Sequence, residues 1–300
     1  MDKKDKRQII ILVSFLNGNM NYIVFQNLPD LDRFMKRKIS PKIEGRVEYS
    51  VMEKFSCNRI LFTAEHAQTS RLEIEKSKRA YIGVGDLNTD IIAKIGAYYL
   101  RSAYIFPLFV RTEADASRPP EELGKGLRLF VKPSYSKQKI AYLPIHKNAS
   151  MLTELNRYHE IIERLSPKGL ISVHGISVKR EFDMLFGFGD DYQAIGGKEK
   201  AFEFKHGFIN YLDSIFRELG IKEGLKIAIS KWRFTGSQNY VLNSHVIEHN
   251  YNRDAKIKRT GMQVELNFRG RSGNNSIPTI PYQIAIQALG DFTYKWMYGR

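Results

Sequence analysis

The stretch Thr63-Ala64-Glu65-His66-Ala67-Gln68 places a Glu-His pair directly after a short apolar run, Arg59-Ile60-Leu61-Phe62. A strand that ends in such a pair fixes the backbone while the loop exposes the side chains, which suits a metal ligand. Three distant segments offer partners. Asp86 lies in Gly85-Asp86-Leu87-Asn88-Thr89, just ahead of a helical pattern. His174 ends the apolar run that starts at Gly169 and continues Leu170-Ile171-Ser172-Val173. Glu265 sits in the alternating segment Met262-Gln263-Val264-Glu265-Leu266-Asn267-Phe268. Two imidazoles and one carboxylate can hold zinc and leave a fourth position for water. A further carboxylate can take a proton from that water and pass it to a leaving amine. The ion itself lowers the pKa of its water to about 7 and polarises the carbonyl. The expectation is therefore one Zn2+ on His66, Asp86 and His174, with Glu265 as general base, hydrolysing an amide bond. Glu73 is the alternative carboxylate ligand.

Each of these residues also has a purely structural reading. A histidine at a strand end is commonly a hydrogen-bonded structural residue. Asp86 can cap or turn into the helix that follows it. Gln263, Glu265 and Asn267 can form the solvent face of a half-buried strand. What favours a site is shared placement. His66, the Asp115–Arg118 turn and His174 all fall at expected strand ends, where ligands of parallel sheets bind. Gly175 would let a substrate or backbone approach closely. Arg118 is a candidate clamp for a substrate carboxylate, because its fork matches one in two hydrogen bonds; a surface loop arginine is the alternative. His159, on a helix with a buried stripe, is a candidate oxyanion donor. The segment Gly187-Phe188-Gly189-Asp190-Asp191 reads as a flexible loop, without the Lys-Ser/Thr of a phosphate loop. His245, Glu248 and His249 have ligand-like spacing but no recognised motif around them, so they read as a loop coincidence.

The elements that position these residues follow from hydrophobic periodicity. Strands are expected at residues 9–16, 22–26, 46–52, 59–64, 103–110, 169–175, 225–230 and 261–269. Helices are expected at 89–100, 151–166, 202–219 and 284–298. In the second helix Leu152, Leu155, Tyr158, Ile161, Ile162 and Leu165 form the inward stripe. Alternating strands and helices imply an α/β fold, with a mostly parallel sheet covered on both faces. Residues 1–300 are expected to form one domain.

Composition narrows the class. A content of 43% hydrophobic and 26% charged residues is that of a soluble globular protein. The single cysteine, Cys57, excludes an internal disulfide and a Cys-rich zinc site, and suits a reducing, cytoplasmic setting. The charged start and the run Ile9–Leu16 resemble a signal peptide, but Asp2 and Asp5 interrupt the charge and no cleavage site follows, so a strand is expected. No run approaches the roughly 18 apolar residues of a membrane span. The net charge of +15 is spread along the chain. Its densest groups, Lys36-Arg37-Lys38 and Lys256-Ile257-Lys258-Arg259, lack interleaved aromatics. That favours a solvated surface over a nucleic-acid footprint, and leaves attraction of an acidic substrate as a further role.

The same motifs resemble the N-formylglutamate amidohydrolase family. Thr63-Ala64-Glu65-His66-Ala67 is similar to its Cys-Glu-His-Gly/Ala opening. Asp86-Leu87-Asn88-Thr89 with Ile92-Ala93 resembles its Asp-x-Gly-Ala helix start, and the Glu-Pro-Gly-Thr start of the related poly-γ-glutamate hydrolases. Asp115-Ala116-Ser117-Arg118 resembles Asp-Leu-Asn-Arg, and Tyr158-His159 a Tyr/His pair before the next strand. Ser172-Val173-His174-Gly175 resembles Asp-Leu-His-Ser, and more closely the Ser-Ile-His-Gly of the poly-γ-glutamate enzymes. Leu185-Phe186-Gly187-Phe188-Gly189-Asp190 resembles a Leu-Gly-Asp loop, and Met262-Gln263-Val264-Glu265-Leu266-Asn267 the closing Leu-Gln-Ile-Glu-Ile-Asn strand. The resemblance covers about residues 60–270. It implies a three-layer, phosphorylase/hydrolase-like sandwich as in zinc carboxypeptidases. It also implies one zinc on His66, Asp86 and His174, catalysis by Glu265 and carboxylate recognition by Arg118. The implied substrate is a small acidic N-acyl amino acid or γ-glutamyl-type peptide. The chain departs from the pattern at Ser117, where the family has Asn, at Ala116 and Val173, and near Val84, where a histidine often precedes the Asp motif. Residues 1–55 have no counterpart and read as a divergent extension within the domain. The alternative is a non-catalytic basic protein of the same fold that binds nucleic acid.

Overall fold

A computed structural model of the chain describes residues 11–14, 21–27, 29–31, 33–34, 40–51, 60–67, 86–109, 114–120, 127–129, 141–143, 149–176, 181–231, 234–252, 258–271 and 277–299. Cys57, Glu73 and Val84 lie outside the described residues. In chain order the elements are β1 (Ile11–Ser14), β2 (Asn21–Val24), β3 (Lys42–Glu44), β4 (Val47–Tyr49), β5 (Ile60–Thr63), α1 (Thr89–Leu100) and β6 (Ala103–Pro107). Then come β7 (Leu127–Leu129), β8 (Ala141–Leu143), α2 (Ala149–Leu165), β9 (Gly169–Ile176), β10 (Met184–Gly187), α3 (Lys198–Glu218), β11 (Ile227–Ile229), β12 (Thr260–Asn267) and α4 (Ile280–Tyr298).

Eight strands form the central sheet in the order β11-β10-β12-β9-β5-β6-β4-β3. Its middle is parallel, through the pairs β12–β9, β9–β5 and β5–β6. The pairs β10–β12, β4–β6 and β3–β4 are antiparallel. β5 and β6 are buried along their whole length, as strands covered on both faces must be. Alternation sorts their side chains into two cores. Phe62, Ile171, Val173, Met262 and Val264 pack with α1, α3 and α4. Leu61, Ile105 and Leu170 pack with α2 and with the helical stretch at 240–251. The expected three-layer α/β sandwich is the architecture observed. Part of the region without a family counterpart belongs to it: Tyr22, Val24 and Phe25 join the first core. There the side-chain amides of Gln283 and Gln287 on α4 bond the backbone of Phe25 and Ile23.

Toward the carboxyl ends of the central strands the second face changes character. Leu61 gives way to Thr63, and Leu170 to Ser172 and His174. Gln263 and Glu265 take the same side of β12, and all five polar side chains are buried. The register aligns them: Thr63 lies opposite Ser172, Ser172 opposite Gln263, and His174 opposite Glu265. A core made polar at one end requires the hydrogen-bonded network described below.

The structure amends several expectations. Of the two readings of β12, the solvent-facing polar stripe is the one set aside, since both faces of the strand are buried. Leu152 is exposed, and Met151 takes the inward position on α2. The segment expected as a flexible loop holds the end of β10, the buried Phe188 and a 3-10 turn from Asp190 to Ile195. His245, Glu248 and His249 are not in a loop. They lie on a helical stretch that contains a π-turn, Asn243–Glu248. Among the described residues, no helix is long and apolar enough to cross a membrane.

β10 ends against the loop at 234–235. A Cβ at Gly187 would lie 2.3 Å from the Phe234 carbonyl oxygen and 2.5 Å from the Thr235 carbonyl carbon. Backbone cannot yield as a flexible side chain does. Gly187→Ala is expected to destabilise the fold by about 1–3 kcal/mol, read as a lower midpoint in denaturant.

Candidate metal centre

β5 ends at Thr63 and runs into a tight turn that carries Glu65 and His66. The Asp86 amide donates to the His66 carbonyl at 2.7 Å, which brings the start of α1 beside the turn. β9 delivers His174 from the neighbouring strand, and the Gly175 amide donates to Asp86 Oδ2 at 3.0 Å. His66, Asp86 and His174 therefore converge, with one ligand atom from each lying within 4.8 Å of the others. The two Nδ1 atoms are 3.2 Å apart. Asp86 Oδ2 is 3.5 Å from each of them. A tetrahedral ion with donors at about 2.1 Å needs them about 3.4 Å apart, so the triangle has the right size for zinc.

The outer ring nitrogens explain which atoms face inward. His66 Nε2 lies 2.8 Å from Asp115 Oδ1 and 2.9 Å from Ser117 Oγ. His174 Nε2 lies 3.2 Å from Glu65 Oε2 and 3.0 Å from Ser172 Oγ. Glu65 is itself held by the hydroxyls of Thr63 and Ser172. An imidazole that donates its Nε2 proton to a carboxylate keeps a lone pair on Nδ1. Two lone pairs and a carboxylate oxygen then point at one another, which is repulsive until a proton or a metal cation lies between them. Burial disfavours a charged His174, but Glu65 and Asp86 outweigh it and raise the proton affinity of the imidazole. Burial likewise opposes ionisation of Asp86, yet without a metal an imidazole protonated on Nδ1, His174 before His66, donates to it and holds its carboxyl well below the usual range; a bound ion would take the place of that proton. The donor set is nitrogen and carboxylate oxygen with no thiolate, which fits zinc in a site with an open position.

Glu65 supplies a test of this outer layer. Glu65→Gln removes the charge that fixes the His174 ring, and is expected to weaken zinc binding about 10–100-fold. Competition against a chromogenic chelator measures that loss.

Glu265 stands beside the cluster, on the strand paired with β9. Its Oε1 accepts from Gln263 Nε2 at 2.6 Å, while Oε2 is buried and makes no hydrogen bond among the described residues. Burial pushes its pKa up to about 6; Asp86 adds to the rise, and His174 and Gln263 oppose it. Asn239, from the turn before the helical stretch, donates to Ser172 Oγ at 2.8 Å and to Gln263 Oε1 at 3.1 Å. It joins the histidine support to the Glu265 support.

The other candidates lie further out. Arg118 is half-buried and follows directly on Ser117, whose hydroxyl touches His66. His159 belongs to a second cluster, with its Nδ1 3.0 Å from His245 Nε2. His245 Nδ1 meets Glu163, which Arg259 holds through two contacts of 3.1 Å. Among the described residues His159 Nε2 is buried without a hydrogen bond, and burial, aided by His245, lowers the ring's pKa to about 3. Sequence reasoning did not assign roles to Glu65, Asp115, Ser172, Asn239 or Gln263. Ser172 and Gln263 carried a signal, since each lies two residues from a candidate and so on the same strand face. Asn239 carried none.

No protein-family model matches the chain, and no curated protein matches it. Solved structures do. A gene product of Agrobacterium tumefaciens aligns with a TM-score of 0.54 at 9% identity, over 85% of this chain and 97% of its own. The N-formylglutamate amidohydrolase of Ralstonia eutropha JMP134 aligns with a TM-score of 0.47 at 10% identity, over 85% and 98%. A bacteriophage poly-γ-glutamate hydrolase gives 0.42 at 12% identity, over 92% and 99%. The likeness to the Agrobacterium protein is one of fold. The family that the sequence motifs resemble is represented among these structures.

Proposed function

We propose that this chain is a zinc-dependent amidohydrolase acting on a small acidic N-acyl amino acid or a γ-glutamyl-type peptide. The observation that carries the reading is the meeting of two histidine Nδ1 atoms and an Asp86 oxygen beside a buried, partnerless Glu265 oxygen. Zinc held there supplies a Lewis acid for the scissile carbonyl and lowers the pKa of water to about 7. Glu265 Oε2 takes one proton from the attacking water as the oxygen–carbon bond forms. It returns that proton to the nitrogen as the carbon–nitrogen bond breaks, so the products are a carboxylic acid and an amine. Gln263 fixes the carboxylate through Oε1 and leaves Oε2 for the proton. Arg118 clamps the substrate carboxylate. His159, kept neutral by burial and by His245, belongs to the neighbouring cluster and takes no part in these proton transfers. The net charge of +15 draws an acidic substrate toward the surface, and the single cysteine suits the cytoplasm.

The test is metal analysis of purified, zinc-reconstituted protein together with hydrolysis of N-formyl, N-acetyl and γ-glutamyl amino acids. One bound equivalent with turnover of at least one substrate class is the expected result. Protein that folds but takes up no stoichiometric metal overturns the reading.

A further inference from the structure

The geometry points to Arg271 as the positioning residue that holds Asp86, His174 and Glu265 in one frame. Arg271 is buried in the short helical turn Phe268–Arg271 after β12. Its Nε donates to the Leu266 carbonyl at 2.9 Å, and its Nη1 donates to the Leu87 carbonyl. Its own carbonyl accepts from Asn88 Nδ2 at 2.7 Å. The guanidinium also lies against Gly175, where a Cβ would come within 2.3 Å of its Cζ and Nη2. Leu266 follows Glu265, Leu87 follows Asp86, and Gly175 follows His174. One side chain thus touches the backbone directly after the proposed base and after two of the proposed ligands. Gly175 is glycine to admit Arg271, and its amide in turn holds Asp86 Oδ2 at 3.0 Å.

The chemistry of the side chain suits this task. A guanidinium is a rigid fork with donors in fixed, divergent directions, so it can lock two carbonyls from different segments at a set spacing. A lysine offers a single point. Among the described residues Arg271 forms no ion pair with a carboxylate. A buried cation without such a partner is poor value for stability alone. The acidic groups that act on it most strongly are Asp86 and Glu265, the same residues whose backbone it braces. Placed there, it also balances negative charge that gathers around the cluster.

The inference rests on the metal-centre reading, and its test separates the two. Arg271→Lys keeps the charge and loses the fork. Gly175→Ala keeps the guanidinium and displaces it, so the clamp stays testable should the first variant not fold. Each variant is expected to unfold cooperatively and to bind zinc about 10–100-fold more weakly than the parent. Each is also expected to shift the visible absorption bands of cobalt-loaded protein, and to lower kcat with KM unchanged. A purely structural arginine would lower the thermal midpoint and leave the cobalt bands in place. Parent protein that binds cobalt, beside variants with native bands and native zinc affinity, overturns the clamp alone. Parent protein that takes up neither metal overturns the metal centre and the clamp together.

Discussion

Glu265→Gln is expected to lower kcat by about 10²- to 10⁴-fold while the protein keeps its full complement of zinc. The substitution preserves shape and the contact with Gln263, which can still donate to an amide oxygen at Oε1. It removes the lone pair that accepts the proton. Because Glu265 is not among the converging ligand atoms, metal content should not change. The pH dependence sharpens the test. A base works when deprotonated, and burial places this carboxyl's pKa at about 6. The parent rate should therefore fall on the acid side as this carboxyl takes up a proton, at a pH below the metal-free value because bound zinc favours the carboxylate, and the residual rate of the variant should lack that limb. Stability should move the other way. A carboxyl raised from 4.5 to about 6 on folding favours the fold below the lower value, and that contribution is lost as pH rises through about 6. The ionised group therefore costs about 2 kcal/mol at neutral pH, so metal-free Glu265→Gln should melt higher than metal-free parent at pH 8. A variant that retains parental turnover removes Glu265 from the chemistry.

His174→Ala is expected to abolish stoichiometric zinc binding and turnover together. It deletes one of the three converging donor atoms. It also leaves Glu65, buried, without the imidazole that lies 3.2 Å from its Oε2. Breaking a buried charge pair by removing one partner costs about 3–5 kcal/mol, so a large fall in thermal midpoint should accompany the loss of metal. Chelation of the parent separates the two effects. It should abolish turnover without touching Glu65, and added zinc should restore it. Turnover that survives exhaustive chelation would count directly against the proposed chemistry.

Most of the frame was legible in the sequence because it rests on local periodicity. The apolar runs at 59–64 and 169–175 are β5 and β9, and α1 spans the residues its spacing predicts. His66, Asp86 and His174 were legible as partners because strand ends in such sheets share one edge. What stayed hidden depends on contacts between segments. Alternation says which side of a strand a residue takes, but not that β12 inserts between β9 and β10, which is what sets Glu265 against His174. Arg271, in Phe268-Arg269-Gly270-Arg271, reads as surface charge until the fold buries it. Leu152 fits the apolar stripe of α2, yet Met151 occupies the space. His245 and Glu163 lie far apart in the chain, and only a π-turn packed on α2 brings them together.

The insertion of β12 also orders events during synthesis. Until residues 260–267 emerge from the ribosome, β9 and β10 have no partner between them, and two strand borders stay open in the middle of the sheet. Unpaired borders of this kind template wrong associations. The strand that closes them is also the one that brings the proposed base, so a nascent chain acquires Glu265 and its protection from aggregation in a single step.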